Sequence, residues 1–208
     1  MDIMFVSAKA QVELGLVDFS NVPDSCGLVS TLQYKHLLSL LQKRLTGSVI
    51  LGQVLGCNQD VCLDTDVSCF LYVGTGRFHP LGIAARTGKK VFCFNPLDSS
   101  VTEISSDDVS VFEKKMKRAA SLFLSKDKIG ILVSTKSGQM MKNIPDLEKR
   151  YPDKKFYTFA CSTLDFSELE NFSFVDLWVN TMCPRIGYDD TKRSERPIVN
   201  ISDIKSIL

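Results

Sequence analysis

Val49-Ile-Leu-Gly-Gln-Val-Leu-Gly-Cys57 and Val175-Asp-Leu-Trp-Val-Asn-Thr-Met-Cys183 are two short apolar runs, each ending on a cysteine. Runs of this length, rich in branched and aromatic residues, read as buried strands. A cysteine just past each run places a thiol at the carboxyl end of a sheet, where ligands gather in open α/β folds. Coming from separate halves of the chain, Cys57 and Cys183 are candidates for one shared metal centre.

Outward from these runs, strand-like and helix-like stretches alternate. Gly27-Leu-Val-Ser30 reads as a short strand. Thr31 to Leu45 reads as a helix with Leu37, Leu38, Leu41 and Leu45 on one face and Ser30 or Thr31 as its cap. Ser48 to Leu51, Cys69 to Val73 and Val91 to Phe94 are β-rich runs bounded by Gly, Asn or Pro. Pro80 to Arg86 fits a short helix with proline in its first turn and Gly88 at its end. Asp107 and Asp108 open a longer helix, with Val109, Phe112, Met116, Ala119 and Phe123 as its apolar stripe and Lys114, Lys115, Lys117 and Arg118 outward. Ile129 to Val133, Phe156 to Phe159 and Phe174 to Val179 read as strands, and Gln139 to Tyr151 as a helix that Pro145 starts, kinks or breaks. Strands alternating with helices imply parallel sheets covered on both faces. The expected fold class is therefore α/β: two similar small domains, each a parallel sheet flanked by helices. Residues 1–106 carry Cys57 and residues 107–208 carry Cys183, with the boundary in the polar stretch Glu103 to Asp108. The halves suit one βαβ plan, although their sequences do not demonstrate a repeat.

Composition narrows the function. The 208 residues are 44% hydrophobic, enough for real cores, and the net charge of +1 gives no electrostatic case for direct nucleic-acid binding. No apolar run approaches the ~18 residues that cross a bilayer, and Met1 to Val6 lacks the basic region and cleavage site of a signal peptide. Seven irregularly spaced cysteines in such a chain are expected to be reduced thiols, which places the protein in the cytoplasm with no membrane partner.

Cysteine is commonly a core residue, and Cys69, Cys93 and Cys161, within or beside Phe-rich strands, are assigned that role. Cys26 is ambiguous, and Cys62, in a loop or short helix after Cys57, is a weaker metal-ligand candidate. Zinc is disfavoured: no C-x-x-C pair is present, and the histidines are His36 and His79 alone. Tyr72-Val-Gly74-Thr-Gly76-Arg77-Phe78-His79-Pro80 runs from a strand through a glycine turn into a helix, where Arg77 and His79 can meet a carboxylate or phosphate. Gly-x-Gly after a strand is often only a turn, and His79 occupies the place of the third glycine of a dinucleotide fingerprint. Val133-Ser-Thr-Lys136-Ser-Gly138-Gln139 repeats the strand and glycine-turn logic without Walker spacing, and is an anion loop or an ordinary turn. In Asn180-Thr-Met-Cys183-Pro184-Arg185-Ile186-Gly187-Tyr188-Asp189-Asp190 the proline fixes the loop and Arg185 offers a permanent cation for a carboxylate. The bland alternative is a surface turn with an Arg–Asp pair.

Together these segments are more specific than any alone. Gly52-Gln-Val-Leu-Gly-Cys57, Tyr72-Val-Gly-Thr-Gly-Arg-Phe-His-Pro-Leu-Gly82, Ser134-Thr-Lys-Ser-Gly-Gln139 and Asn180-Thr-Met-Cys-Pro-Arg-Ile-Gly187 occur in the order found in diphthamide synthase, the 2-(3-amino-3-carboxypropyl)histidine synthase family, which the chain resembles from about Cys26 onward. The resemblance implies three similar α/β domains, each giving one cysteine to a [4Fe-4S] cluster that binds S-adenosylmethionine. It implies cleavage of the Cγ–S bond and radical transfer of a 3-amino-3-carboxypropyl group to a histidine of translation elongation factor 2. By this similarity Cys57 and Cys183 are the middle-domain and last-domain ligands. Gly74, Gly76, Arg77, His79, Gly138, Gln139 and Arg185 are cofactor-binding candidates, and no catalytic acid or base is assigned.

The family's first domain has no counterpart here; Met1 to Val6 resembles at most its closing strand. The missing thiolate then falls to Cys62 or Cys26, or to a partner (a longer family paralogue or a second copy, since family members work as dimers), or else the cluster does not form. No flavin or nicotinamide motif is present, so the electron donor is external. Two alternatives stand beside a catalytic subunit: an accessory scaffold of the synthase, and an α/β protein binding a small anionic metabolite.

Overall fold

The computed structural model describes residue 4 and residues 6–139, 146–190 and 193–204. Strand β1 (Cys26–Ser30) is buried along its whole length. It lies between β2 (Val49–Gln53) and β3 (Cys69–Val73), followed by β4 (Lys90–Asn95) and β5 (Ser100–Glu103), giving the order β2-β1-β3-β4-β5. The first four strands are parallel and β5 returns antiparallel to β4. Alternation along the strands feeds a core on each face. Leu28, Leu71 and Val73 join one cluster, while Val29, Phe70 and Tyr72 join the other. Helix α1 (Leu38–Arg44) covers the first face with Leu38 and Leu41, and α2 (Phe78–Thr87) covers the second with Ile83 and Ala84.

The second sheet has the order β7-β6-β8-β9, all parallel, from β6 (Lys128–Ser134), β7 (Lys155–Cys161), β8 (Leu177–Asn180) and β9 (Ile198–Asn200). Ile129, Ile131, Leu177 and Val179 face one core, with Ala119 and Phe123 of α3 (Ser106–Ser125); Leu132 and Trp178 face the other. Fully burying a Leu or Phe side chain contributes about 1.5–3 kcal/mol, so each face is a substantial source of stability. Short helices α4 (Leu147–Arg150), α5 (Arg185–Asp189) and α6 (Ile201–Ile204) complete this unit.

Both sheets start from the same plan, in which the second strand lies on one side of the first and the third and fourth on the other. The α/β class expected from the alternation holds, and the repeat invisible in overall sequence is present in topology. Leu28-Val-Ser-Thr31 and Leu132-Val-Ser-Thr135 end the two first strands. In such a sheet the ligand crevice lies at the carboxyl ends of the first and third strands, where the order reverses.

Several expectations change. Thr31 to Leu45 is a 3₁₀ turn, Leu32–Leu37, running into α1, with no side-chain cap from Thr31. The expected inward residues, Leu37, Leu38, Leu41 and Leu45, are nevertheless all buried. β8 begins at Leu177, because a turn bond from Val175 N to Phe172 O holds the residues before it. Of the helix expected over 139–151, α4 is one turn capped by Asp146, Gln139 lies in a turn, and residues 140–145 lie outside the described residues. β5 and β9 are short strands that the sequence pattern did not reveal. The chain divides into two units between Glu113 and Lys114, inside α3 rather than in the polar stretch before it.

Candidate functional site

Cys57 and Cys183 do not occupy equivalent places. Cys57 follows β2, an edge strand with exposed and half-buried residues, whereas Cys183 follows β8, a fully buried strand beside the first strand of its sheet. By topology the counterpart of Cys183 in the first unit is the Gly74 turn, and the counterpart of Cys57 in the second is the end of β7 at Cys161.

In the first unit a register shift beside Leu28 and Val29 skips Leu51, and Val54 N then donates to Ser30 O at 2.9 Å. Leu55 and Asn58 exchange backbone hydrogen bonds, 2.8 Å from Leu55 N and 3.2 Å from Asn58 N. That closed turn leaves Gly56 and Cys57 at its tip, with the cysteine exposed. Gln59, buried, donates from Nε2 to His79 O at 3.3 Å and lies against Gly82. The Cys57 turn is thus docked on the first turns of α2, beside the glycine segment. Sequence reasoning passed over Gln59; a polar residue two positions beyond the cysteine carried no distinctive signal.

Gly74 follows β3 directly with its N–H on Phe94 O at 3.0 Å, and Gly76 takes φ +77°, which a side chain would resist. Tyr72, buried, has its hydroxyl 3.4 Å from His79 Nδ1 and stacks on the His79 ring with centroids 5.8 Å apart. Burial raises the Tyr72 hydroxyl far above its ordinary pKa, so it serves as a neutral partner for the imidazole. Arg77 is paired with Asp108, which Ser105 also meets; these contacts hold the Asp108 carboxyl below the usual range, the Ser105 bond first.

In the second unit, Thr181 N and Oγ1 donate to Leu132 O at 3.1 and 2.7 Å, tying the end of β8 to β6. Asn180 is 1% exposed, and its Nδ2 donates to Cys183 O at 2.9 Å and to Asn200 Oδ1 at 2.8 Å, while its Oδ1 accepts from Met182 N at 3.0 Å. Asn200 Nδ2 reaches Asp203 Oδ2 at 3.3 Å, and the Tyr188 hydroxyl donates to Asp203 Oδ1. Burial holds Asp203 above the usual carboxylate range despite these donors. Cys183 is exposed, and Arg185 Nε sits 2.6 Å from Asp189 Oδ2, with both side chains largely in solvent. Asp190 pairs with Arg193 at 3.5 Å, so both aspartates serve the surface-turn role. Asn180, Asn200 and Asp203 were missed in the sequence, although an asparagine closing the apolar strand Leu177–Asn180 was a signal that a buried amide needs partners.

Lys136, Gly138 and Gln139 are exposed in a turn closed by Gln139 N on Lys136 O at 3.1 Å. Of the remaining thiols, Cys26 and Cys62 lie inside the first unit's two cores, and burial pushes them up to about 12 and about 11. Cys93, half-buried on β4, is likewise raised to about 12 by burial. Cys62 therefore packs in the core, on a short 3₁₀ turn, rather than facing outward as a ligand. All seven cysteines are free. Among the described residues no group of three or more His, Cys, Asp or Glu side chains is gathered to hold a metal. What each unit offers an iron–sulfur group is a single exposed thiol, a donor of the right chemistry.

The residue pattern of the "diphthamide synthesis protein" family matches residues 2–208. The chain is 36% identical over 184 residues to the 2-(3-amino-3-carboxypropyl)histidine synthase of Methanocaldococcus jannaschii, covering 87% of this chain and 51% of that protein. To the synthase of the same name from Pyrococcus horikoshii it is 30% identical over 161 residues, covering 76% and 45%. The crystal structure of Dph2 from Pyrococcus horikoshii with a 4Fe-4S cluster superposes with a TM-score of 0.72 at 26% identity, covering 88% of this chain and 57% of that one. The chain spans about half the length of the curated relatives it matches.

Proposed function

The chain belongs to the diphthamide synthesis family, and from that premise we propose that it is a subunit of a synthase that moves a 3-amino-3-carboxypropyl group from S-adenosylmethionine to a histidine of translation elongation factor 2. One observation carries the proposal. Of seven free cysteines, the two exposed ones are Cys57 and Cys183, each beyond the carboxyl end of a parallel strand. Each would give one thiolate to a [4Fe-4S] cluster, which when bound would supply the electron for reductive cleavage of the Cγ–S bond. The third thiolate comes from outside these 208 residues, with a longer family member or a second copy as its proposed source, because Cys26 and Cys62 are committed to the cores. The electron donor is external.

The chain's own residues orient and bind. Gln59 holds the Cys57 turn on α2, and Asn180 holds the carbonyl of Cys183. In the first unit Gly76 and the His79 ring, and in the second Gly138 and the Gln139 side chain, are offered to the cofactor, while Gly74 shapes its turn with its N–H already on Phe94 O. Arg77 in the first unit and Arg185 in the second are each a cation that a carboxylate can recruit in exchange for Asp108 or Asp189, since exposed ion pairs are weak.

Anaerobic reconstitution with iron and sulfide tests this, on the chain alone and mixed with a longer family member. Bound iron that is lost in Cys57→Ala and Cys183→Ala supports it; no iron or sulfide in either preparation rejects it. The missing third ligand among the described residues favours one second reading, a non-catalytic accessory subunit. Assembly with the longer member that survives both cysteine substitutions, with activity unchanged, would select it.

A further inference from the structure

We propose that Asn200 and Asp203, through Asn180, are positioning residues that set the direction of the Cys183 loop. Strands β8 and β9 both end on asparagine, and Asn180 and Asn200 are register partners. Both are 1% exposed and Asp203 is 5% exposed, so each polar atom here was taken out of water and needs a partner. The partners they find bracket the cysteine. Asn180 grips Met182 N and Cys183 O, and Cys183 O also accepts from Ile186 N at 3.1 Å. Four residues beyond the cysteine, Gly187 lies so close to Asn200 that a Cβ there would meet Oδ1 at 2.5 Å. Next to it the Tyr188 hydroxyl lands on Asp203.

The segment 180–188 is therefore clamped before and after Cys183 by one connected set of buried amides and a carboxyl, all referred to the corner where β9 enters α6. Two apolar side chains would fill the same space without the cost of desolvating amides, but they would leave the Cys183 carbonyl without its side-chain donor and the loop without a reference point. A metal-binding thiol depends on such support to face its metal. The assignment rests on Cys183 being a ligand, as proposed above. The clamp itself does not, and can be read without iron.

The test uses the full chain, iron-free. Hydrogen exchange of residues 181–188 is measured together with the alkylation rate of Cys183 relative to Cys57 in the same molecule. In Asn180→Ala and Asn200→Ala, exchange of 181–188 rises about tenfold or more. The Cys183-to-Cys57 ratio shifts severalfold, while amides of β1 and β6 keep their protection. Tyr188→Phe, which removes one hydroxyl and keeps the ring, gives a smaller change of the same kind and serves if the alanine variants fail to fold. The double change Asn200→Asp with Asp203→Asn exchanges donor and acceptor across the pair, still accepts from Asn180, and restores the wild-type ratio. Unchanged exchange and ratio in the single variants overturn the proposal. So does a loss of protection spread evenly over the second unit, or no recovery in the double change. Failure of iron binding alone would reject the ligand role of Cys183 and leave the clamp standing.

Discussion

Gln59 and Gly82 are in contact: a Cβ on Gly82 would lie 2.7 Å from Gln59 Nε2, the atom that donates to His79 O. The relationship joins the turn carrying Cys57 to the helix that follows the Gly74 segment. Its consequences can be measured.

In an exposed helix interior, glycine to alanine ordinarily stabilises by about 1 kcal/mol. Gly82→Ala is expected to do the reverse, destabilising by about 1–2 kcal/mol, because Gln59 must leave its buried bond to make room. Urea midpoints report the sign. In the Gln59→Ala background the same change becomes neutral or stabilising, and a double-mutant cycle without coupling would show that the contact does not matter.

Thiol accessibility separates the cysteines. At pH 8 the native chain is expected to take up alkylating label quickly at Cys57 and Cys183, while Cys26, Cys62 and Cys93, raised by burial to about 12, about 11 and about 12, stay unlabelled. The same shifts make stability depend on pH. These groups keep their protons in the folded state when the unfolded chain, at its ordinary thiol value of 9.0, loses them. Their contribution is complete below about pH 9 and is lost as pH rises toward 11 to 12. The fall in urea midpoint between pH 8 and 10.5 should be smaller in Cys62→Ala than in the parent.

Phe123 is fully buried in the second unit, packed edge-on against Tyr151 at 5.1 Å, with Lys154 Nζ over its ring at 5.7 Å. Phe123→Ala should cost about 3–5 kcal/mol. Trp178, the single tryptophan and fully buried in the same unit, reports the transition by its fluorescence. A loss below about 1 kcal/mol would mean that the site collapses around the void.

Iron retention distinguishes the ligands. Cys62→Ala is expected to keep the iron content of the reconstituted parent, because that thiol is 1% exposed within the core. Cys57→Ala and Cys183→Ala each lose it. Equal loss in all three, measured as iron and sulfide per chain, would return Cys62 to the ligand set.

Much of this was legible in the chain. β3 falls on Cys69–Val73 as its apolar run indicates, and α2 closes at Gly88, whose φ of +66° glycine takes without strain. Less legible were β5 and β9, at four and three residues too short for a periodic pattern, and the single-turn α4. The two cysteines look alike in sequence because each follows an apolar run; strand order alone reveals that one run is an edge and the other interior.

The sequence by itself determined the class of the protein, the family segments and which thiols follow strands, since these depend on local runs of side chains and their spacing. Only the tertiary structure decided that the turn carrying Cys57 is tied to α2 through Gln59, that Cys183 is held through Asn180 and Asn200, and that Arg77 and Arg185 already have carboxylate partners. Those outcomes depend on which polar atoms end up together away from water. Residues twenty positions apart, such as Asn180 and Asn200, become neighbours only when two strands pair.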